Sequence, residues 1–168
     1  MIKEVYHNKR LVVEERTVRL PGGNEIERVL VRPGDAVAVL PVRADSCCHL
    51  IRQYRFAIDE YIYEVPAGTM NPGERPLETA RRELIEETGL QAETFVDRGF
   101  IYTTPGFTDE RIFLFEAFGL SPSCEFGMDE DEVIELVKIP MADLPHMVSD
   151  GRISDAKTIA LIFRCLYP

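Results

Sequence analysis

The chain's 168 residues suffice for one domain that buries about two-thirds of its unfolded surface, and 45% hydrophobic with 29% charged residues is an ordinary globular composition. A net charge of −10 and a pI near 4.8 argue against nonspecific binding to nucleic acid or to an anionic membrane. An anionic substrate would need a local arginine cluster or bound cations.

The N-terminus "MIKEVYHNKR" is too polar for a signal peptide, and no apolar run approaches membrane length. "LVVEERTVRL" and "EIERVLV" flank the turn signal "PGGN", which predicts an N-terminal β-hairpin. "DAVAVLPV" and "CCHLIRQYRF" read as apolar strands, with Cys47 and Cys48 on opposite faces, and "YIYEVPAG" follows. From about Arg75 the pattern turns helical, with Pro76 in the first turn and Gly89 as a C-terminal stop. "ETFVDRGFIYTT" and "RIFLFEAF" resume strand character around the turn-rich "PGFTDE". "DEDEVIELVKI" is an acidic loop entering a strand, and "ISDAKTIALIFRCL" carries an apolar helical face through Ile159, Leu161, Ile162 and Leu166. This mixture predicts an α/β sandwich with a mixed sheet. Cys47, Cys48, Cys124 and Cys165 lack metal spacing, which predicts reduced, mostly buried thiols in a cytoplasmic protein.

"GTMNPGERPLETARRELIEETGL", residues 68–90, holds five glutamates and three arginines. On a helix, Glu87 lies about 40° one way from Glu83 and Glu86 about 60° the other, so the three share a face. Leu77, Ala80 and Leu84 form a stripe beside them, while Glu78 is placed near Arg82 by the four-residue rule. Carboxylates roughly 6 Å apart repel by about 0.7 kcal/mol in water but by nearly 3, on the order of two pKa units, at an effective dielectric near 20. Beside an apolar stripe such a cluster calls for a cation. An all-oxygen set without histidine or cysteine favours Mg²⁺ or Mn²⁺ over zinc.

Gly68, Glu74, Arg82, Glu83, Leu84, Glu86, Glu87, Gly89 and Leu90 stand at the spacing of the Nudix box, and the chain resembles that hydrolase superfamily. "LIRQYRF", "VPAG", "TTPGFTDERI", "DEDEVIEL" and "DAKTIAL" are similar to its ADP-ribose pyrophosphatase branch, as is Pro105, fifteen positions after Leu90. The resemblance implies an α/β/α sandwich over residues 36–168, preceded by N-terminal strands (1–35) that serve dimerisation. It also implies metal ligation by the carbonyl of Ala67 and by Glu83 and Glu87, joined by Glu86, with two or three ions. Glu74 and Arg82 match the pair that braces the box and orients the catalytic helix. Gly68 suits a close backbone approach, and Gly89 a helix stop.

Residues 129–132, "DEDE", would by themselves be a solvated acidic loop. The resemblance makes Glu130 the preferred general base and Glu132 its neighbour or a further ligand, with Glu110 and then Glu83 as rivals. Arg55 matches an arginine that contacts pyrophosphate, a role suited to a guanidinium fork. Arg28 is assigned to substrate or to the partner subunit, Arg52 to structure, and Arg111 either to the neighbourhood of Glu110 or to the plain surface. His7, His49 and His146 lack metal spacing.

The implied reaction is metal-dependent hydrolysis of ADP-ribose or a related nucleotide sugar by a homodimer. The alternatives are another Nudix substrate, such as GDP-mannose, NADH or an oxidised nucleoside triphosphate, and a non-catalytic nucleotide sensor. Sensor relatives typically lose box glutamates, all of which are present here.

Overall fold

The computed structural model describes residues 2–124 and 134–167, so Glu130 and Glu132 lie outside the described residues. β1 (Ile2–His7), β2 (Val12–Arg19) and β3 (Glu25–Arg32) form an antiparallel sheet in that order. The predicted hairpin joins β2 to β3: the Leu20 amide donates to Asn24 O and the Gly23 amide to Leu20 O, each at 2.8 Å. Gly23 has φ +90, a left-handed value that suits a residue without Cβ. β1 was not foreseen. "IKEVYH" mixes polar and apolar residues on both faces and every one is exposed, so the alternation that marks a half-buried strand is missing.

The central sheet runs β7 (Ala67–Thr69), β4 (Ala36–Pro41), β9 (Arg111–Pro122), β8 (Leu90–Tyr102). β4 and β9 are parallel and the other pairs antiparallel, giving the expected mixed sheet. Along β4 the period of two sorts side chains between two cores. Val37 and Val39 pack with Phe115, Ala117 and, from α1 (Pro76–Thr88), Ala80 and Leu84. Ala38 and Leu40 pack on the opposite face with Leu114 and, from α3 (Ala156–Leu166), Leu161 and Ile162. Helices therefore cover both faces, the α/β/α arrangement. Leu77 departs from the predicted stripe: it sits in the first turn of α1, outside the core cluster, and is 40% exposed.

A third sheet, β10 (Ile134–Pro140), β5 (Cys47–Arg55), β6 (Glu60–Glu64), is antiparallel throughout. Cys48 is fully buried and Cys47 only partly, while Cys124 is exposed; all four cysteines are free. α2 (Leu144–Ser149), entered through a 3₁₀ turn, was also unforeseen, since six residues are too few to display a helical period. It delivers Leu144 and Met147 to the core. Among the described residues no helix is long and apolar enough to cross a membrane.

Candidate active site

α1 is fixed at both ends. Pro76 opens it, the Glu78 carboxylate accepts from the Arg75 amide at 3.0 Å, and Gly89 closes it at φ +68 with its amide on Ile85 O at 2.8 Å. The buried side of the helix faces β7 and the bend before it. There Glu87 Oε2 accepts from the Ala67 amide at 2.9 Å. A Cβ on Gly68 would lie 2.0 Å from the Glu83 carboxylate, so only glycine permits this approach. Glu83 and Glu87 are 8% and 5% exposed, whereas Glu86 is partly exposed. The acids thus border the core, where mutual repulsion is strongest.

Arg82 answers part of that repulsion. Its Nε and Nη2 fork onto Glu74 at 3.1 and 3.2 Å, and Nη2 also donates to Thr69 O at 3.1 Å. Nη1 donates to Glu83 Oε1 at 2.6 Å and to Glu86 Oε2 at 2.7 Å. The expected Arg82–Glu78 contact is not made. Arg82 turns toward the box loop, and Glu78 pairs with Arg75, Nε to Oε1 at 2.9 Å. Arg82 holds the Glu74 carboxyl down to about 2. Burial disfavours the Arg82 charge, yet Glu74, Glu83 and Glu86 together raise its pKa above the usual arginine value.

A cationic nitrogen between Glu83 and Glu86 marks where these acids accept positive charge. Among the described residues no three acidic, histidine or cysteine side chains converge tightly enough to hold a metal by themselves. The donor set of Glu83, Glu86, Glu87 and the Ala67 carbonyl is nonetheless all oxygen, and Gly68 leaves its approach open. Those features fit a hard divalent ion such as Mg²⁺ or Mn²⁺.

Beside this surface lies a cleft of about 370 Å³, lined in part by Arg55, Gly68, Thr103, Glu110, Asp155 and Lys157. That volume suits a small ligand, for which about 300–1,000 Å³ is usual. Arg55 forks onto Glu64, Nε to Oε1 at 2.6 Å and Nη2 to Oε2 at 2.7 Å. Lys157 donates to Glu64 Oε2, the oxygen that Arg55 Nη2 also takes, and lies 3.1 Å from Asp155. Burial pushes the Glu64 carboxyl up, but Arg55 and Lys157 outweigh it and leave its pKa below the usual value. Asp155 caps α3 by accepting from the Thr158 amide at 2.9 Å, and Thr158 Oγ1 accepts from the Val65 amide at 2.9 Å. The helix start is thereby tied to the residues just before the box.

Glu64, Asp155, Lys157 and Thr103 were missed by sequence reasoning. The available signal was an isolated glutamate in the apolar strand "YIYEV" and a lysine just inside a helix start. Of the predicted substrate and general-base residues, Arg55 and Glu110 line the cleft, Glu110 accepting from Thr103 Oγ1 at 2.7 Å. Pro105 is exposed in the turn closed by the Phe107 amide on Thr104 O at 3.1 Å. Arg28 is exposed on β3, lines a separate hollow with Lys3 and Arg16, and is absent from the cleft wall. Arg111 pairs with Asp35, Nε to Oδ1 at 3.1 Å, instead of with the neighbourhood of Glu110. Arg52 reaches Glu135 at 3.5 Å and covers the Tyr61 ring. His7 and His146 are exposed and His49 is buried.

The NUDIX domain family model matches residues 32–162. The chain is 36% identical over 157 residues to the ADP-ribose pyrophosphatase of Bacillus subtilis, covering 93% of this chain and 85% of that protein. It is 34% identical over 161 residues to the methanol dehydrogenase activator of Bacillus methanolicus, covering 95% and 87%. A crystal structure of an ADP compounds hydrolase superposes with a TM-score of 0.87 at 25% identity, covering 99% of this chain and 90% of that one. A glutamate-bearing helix closing on a glycine bend, in a chain matched at this length, makes the protein a member of the Nudix hydrolase family.

Proposed function

We propose that this enzyme hydrolyses the diphosphate bond of ADP-ribose or a related nucleotide sugar, releasing AMP, or the corresponding nucleoside monophosphate, and a sugar phosphate. The observation that carries the reading is the buried pair Glu83 and Glu87 closing on Ala67 and Gly68 beside a cleft edged by Arg55 and Lys157. Nudix hydrolases generally use divalent metals such as Mg²⁺. We assign two or three such ions, Mg²⁺ or Mn²⁺, to Glu83, Glu86, Glu87 and the Ala67 carbonyl, with Glu132 as a further ligand. When bound, they neutralise the diphosphate and lower the pKa of the attacking water.

The protein's own residues supply the rest. Arg55 and Lys157 present positive charge to the substrate's phosphate oxygens while Glu64 holds both cations in place. Arg82 and Glu74 orient the start of the helix that carries the acids. The proton of the attacking water passes to a carboxylate. Glu130 is our assignment for that base, and Glu110 on the cleft wall is its competitor; comparing kcat of E130Q and E110Q separates them. Our reading is of a cytoplasmic homodimer in which the N-terminal sheet, with Arg28, shapes the partner's site. Its support is the exposed apolar surface of that sheet, including Ile2, Val5, Tyr6 and Val29. Gel filtration at micromolar concentration is expected to give a dimer, and a monomer contradicts it.

The substrate class is tested with a panel of nucleoside diphosphate derivatives and Mg²⁺, following phosphate freed by added phosphatase. ADP-ribose or another nucleotide sugar is expected to lead. The chain is also 34% identical over 147 residues to the GDP-mannose pyrophosphatase of Yersinia enterocolitica, covering 82% of this chain and 76% of that protein, so GDP-mannose belongs in the panel. Preference for a nucleoside triphosphate would overturn the assignment.

A further inference from the structure

The loop between β8 and β9 touches the cleft on one side and the N-terminal sheet on the other. Its turn is set by the amides of Phe107 and Thr108, both donating to Thr104 O at 3.1 Å. It leans on β3 through the Val31 amide, which donates to Phe107 O at 2.8 Å, and through the Val31–Thr108 bridge.

Arg32 spans the two elements. Its Nε donates to Glu14 Oε2 on β2 at 3.0 Å, and its Nη1 donates to Asp109 in the loop. Glu14 also faces Arg16 at 3.0 Å, so the sheet end of the contact is held from two sides. Asp109 and Glu110 are neighbours leading into β9, and their side chains diverge. Asp109 meets Arg32, while Glu110 lines the cleft against Thr103.

We propose that Arg32 is a positioning residue: by tying Asp109 to the N-terminal sheet it fixes the cleft wall that carries Glu110, so that a residue outside the cleft sets the rate of turnover. This rests on the hydrolytic reading above. A largely solvent-facing ion pair adds little to folding stability. A displacement of about 1 Å at reacting groups, in contrast, costs up to roughly a hundredfold in rate. Loss of the tether therefore registers in kcat before it registers in folding.

The test uses the full chain with Arg32→Ala, Asp109→Ala and the double substitution. It measures kcat and KM for ADP-ribose with Mg²⁺, the thermal midpoint, and hydrogen exchange of the Val31, Phe107 and Thr108 amides. Each single substitution is expected to lower kcat about tenfold while KM and the thermal midpoint hold. The double is expected to lose no more than R32A alone, because Asp109→Ala removes a contact that Arg32→Ala has already removed along with the one to Glu14. Exchange at the three amides is expected to quicken. Unchanged kcat and exchange in a folded R32A protein overturn the proposal, as do losses that multiply in the double. If R32A does not fold, D109A removes only the loop end of the contact and carries the same test. Should the unsubstituted protein cleave no nucleoside diphosphate derivative, the hydrolytic reading fails separately; quickened exchange then still supports the tether, and unchanged exchange overturns it.

Discussion

Gly68 and Glu87 concentrate the chemistry at the scale of single residues. With the Glu83 carboxylate 2.0 Å from where a Cβ would stand, Gly68→Ala must displace either the bend or the acid. Activity is expected to fall at least about tenfold, since geometry at reacting groups is exacting. The unfolding midpoint is expected to move little, and steady-state kinetics beside a thermal melt check both. Glu87→Gln keeps the size of a buried side chain and removes its charge, so turnover is expected to drop about a hundredfold or more in a folded protein. Near-normal activity in that variant would refute the assignment of Glu87 to the metal. Gly68, Glu74, Arg82, Glu83 and Glu87 were legible from sequence because one loop and one helix fix their spacing. Glu64 and Lys157 were not, for they stand 93 residues apart and only the topology brings them together.

At the scale of elements, α1 is held by its apolar side and by the brace from Arg82 to the box loop. Leu84 is fully buried against the central sheet. Leu84→Ala is expected to cost about 2–5 kcal/mol of unfolding free energy, read from urea denaturation. Glu74 ties the brace to pH. Its pKa falls from an ordinary 4.5 to about 2 through Arg82, so the stability it contributes is complete above pH 4.5 and drains away as pH drops toward 2. The thermal midpoint is expected to decline across that window, and Glu74→Gln to make the decline shallower; an unchanged slope would detach Glu74 from the brace. α1, α3, β2–β5, β8 and β9 were readable from their residue patterns and turn signals. β1 was hidden because both its faces are wet, and α2 because six residues do not complete two turns.

For the whole molecule, a chain of net charge −10 must attract a doubly charged phosphate chain. Arg55 and Lys157 are already committed to Glu64, so their positive charge is partly answered before substrate arrives. Glu83, Glu86 and Glu87 add negative charge nearby, and Arg82 offsets only part of it. The balance therefore requires further cations that arrive from solution. Calorimetric titration of Mg²⁺ or Mn²⁺ into the protein with nucleotide present tests this most directly. Saturable uptake of two or three ions, abolished or strongly weakened by Glu87→Gln, is the result predicted. Heats no larger than dilution, or uptake identical in that variant, would contradict it.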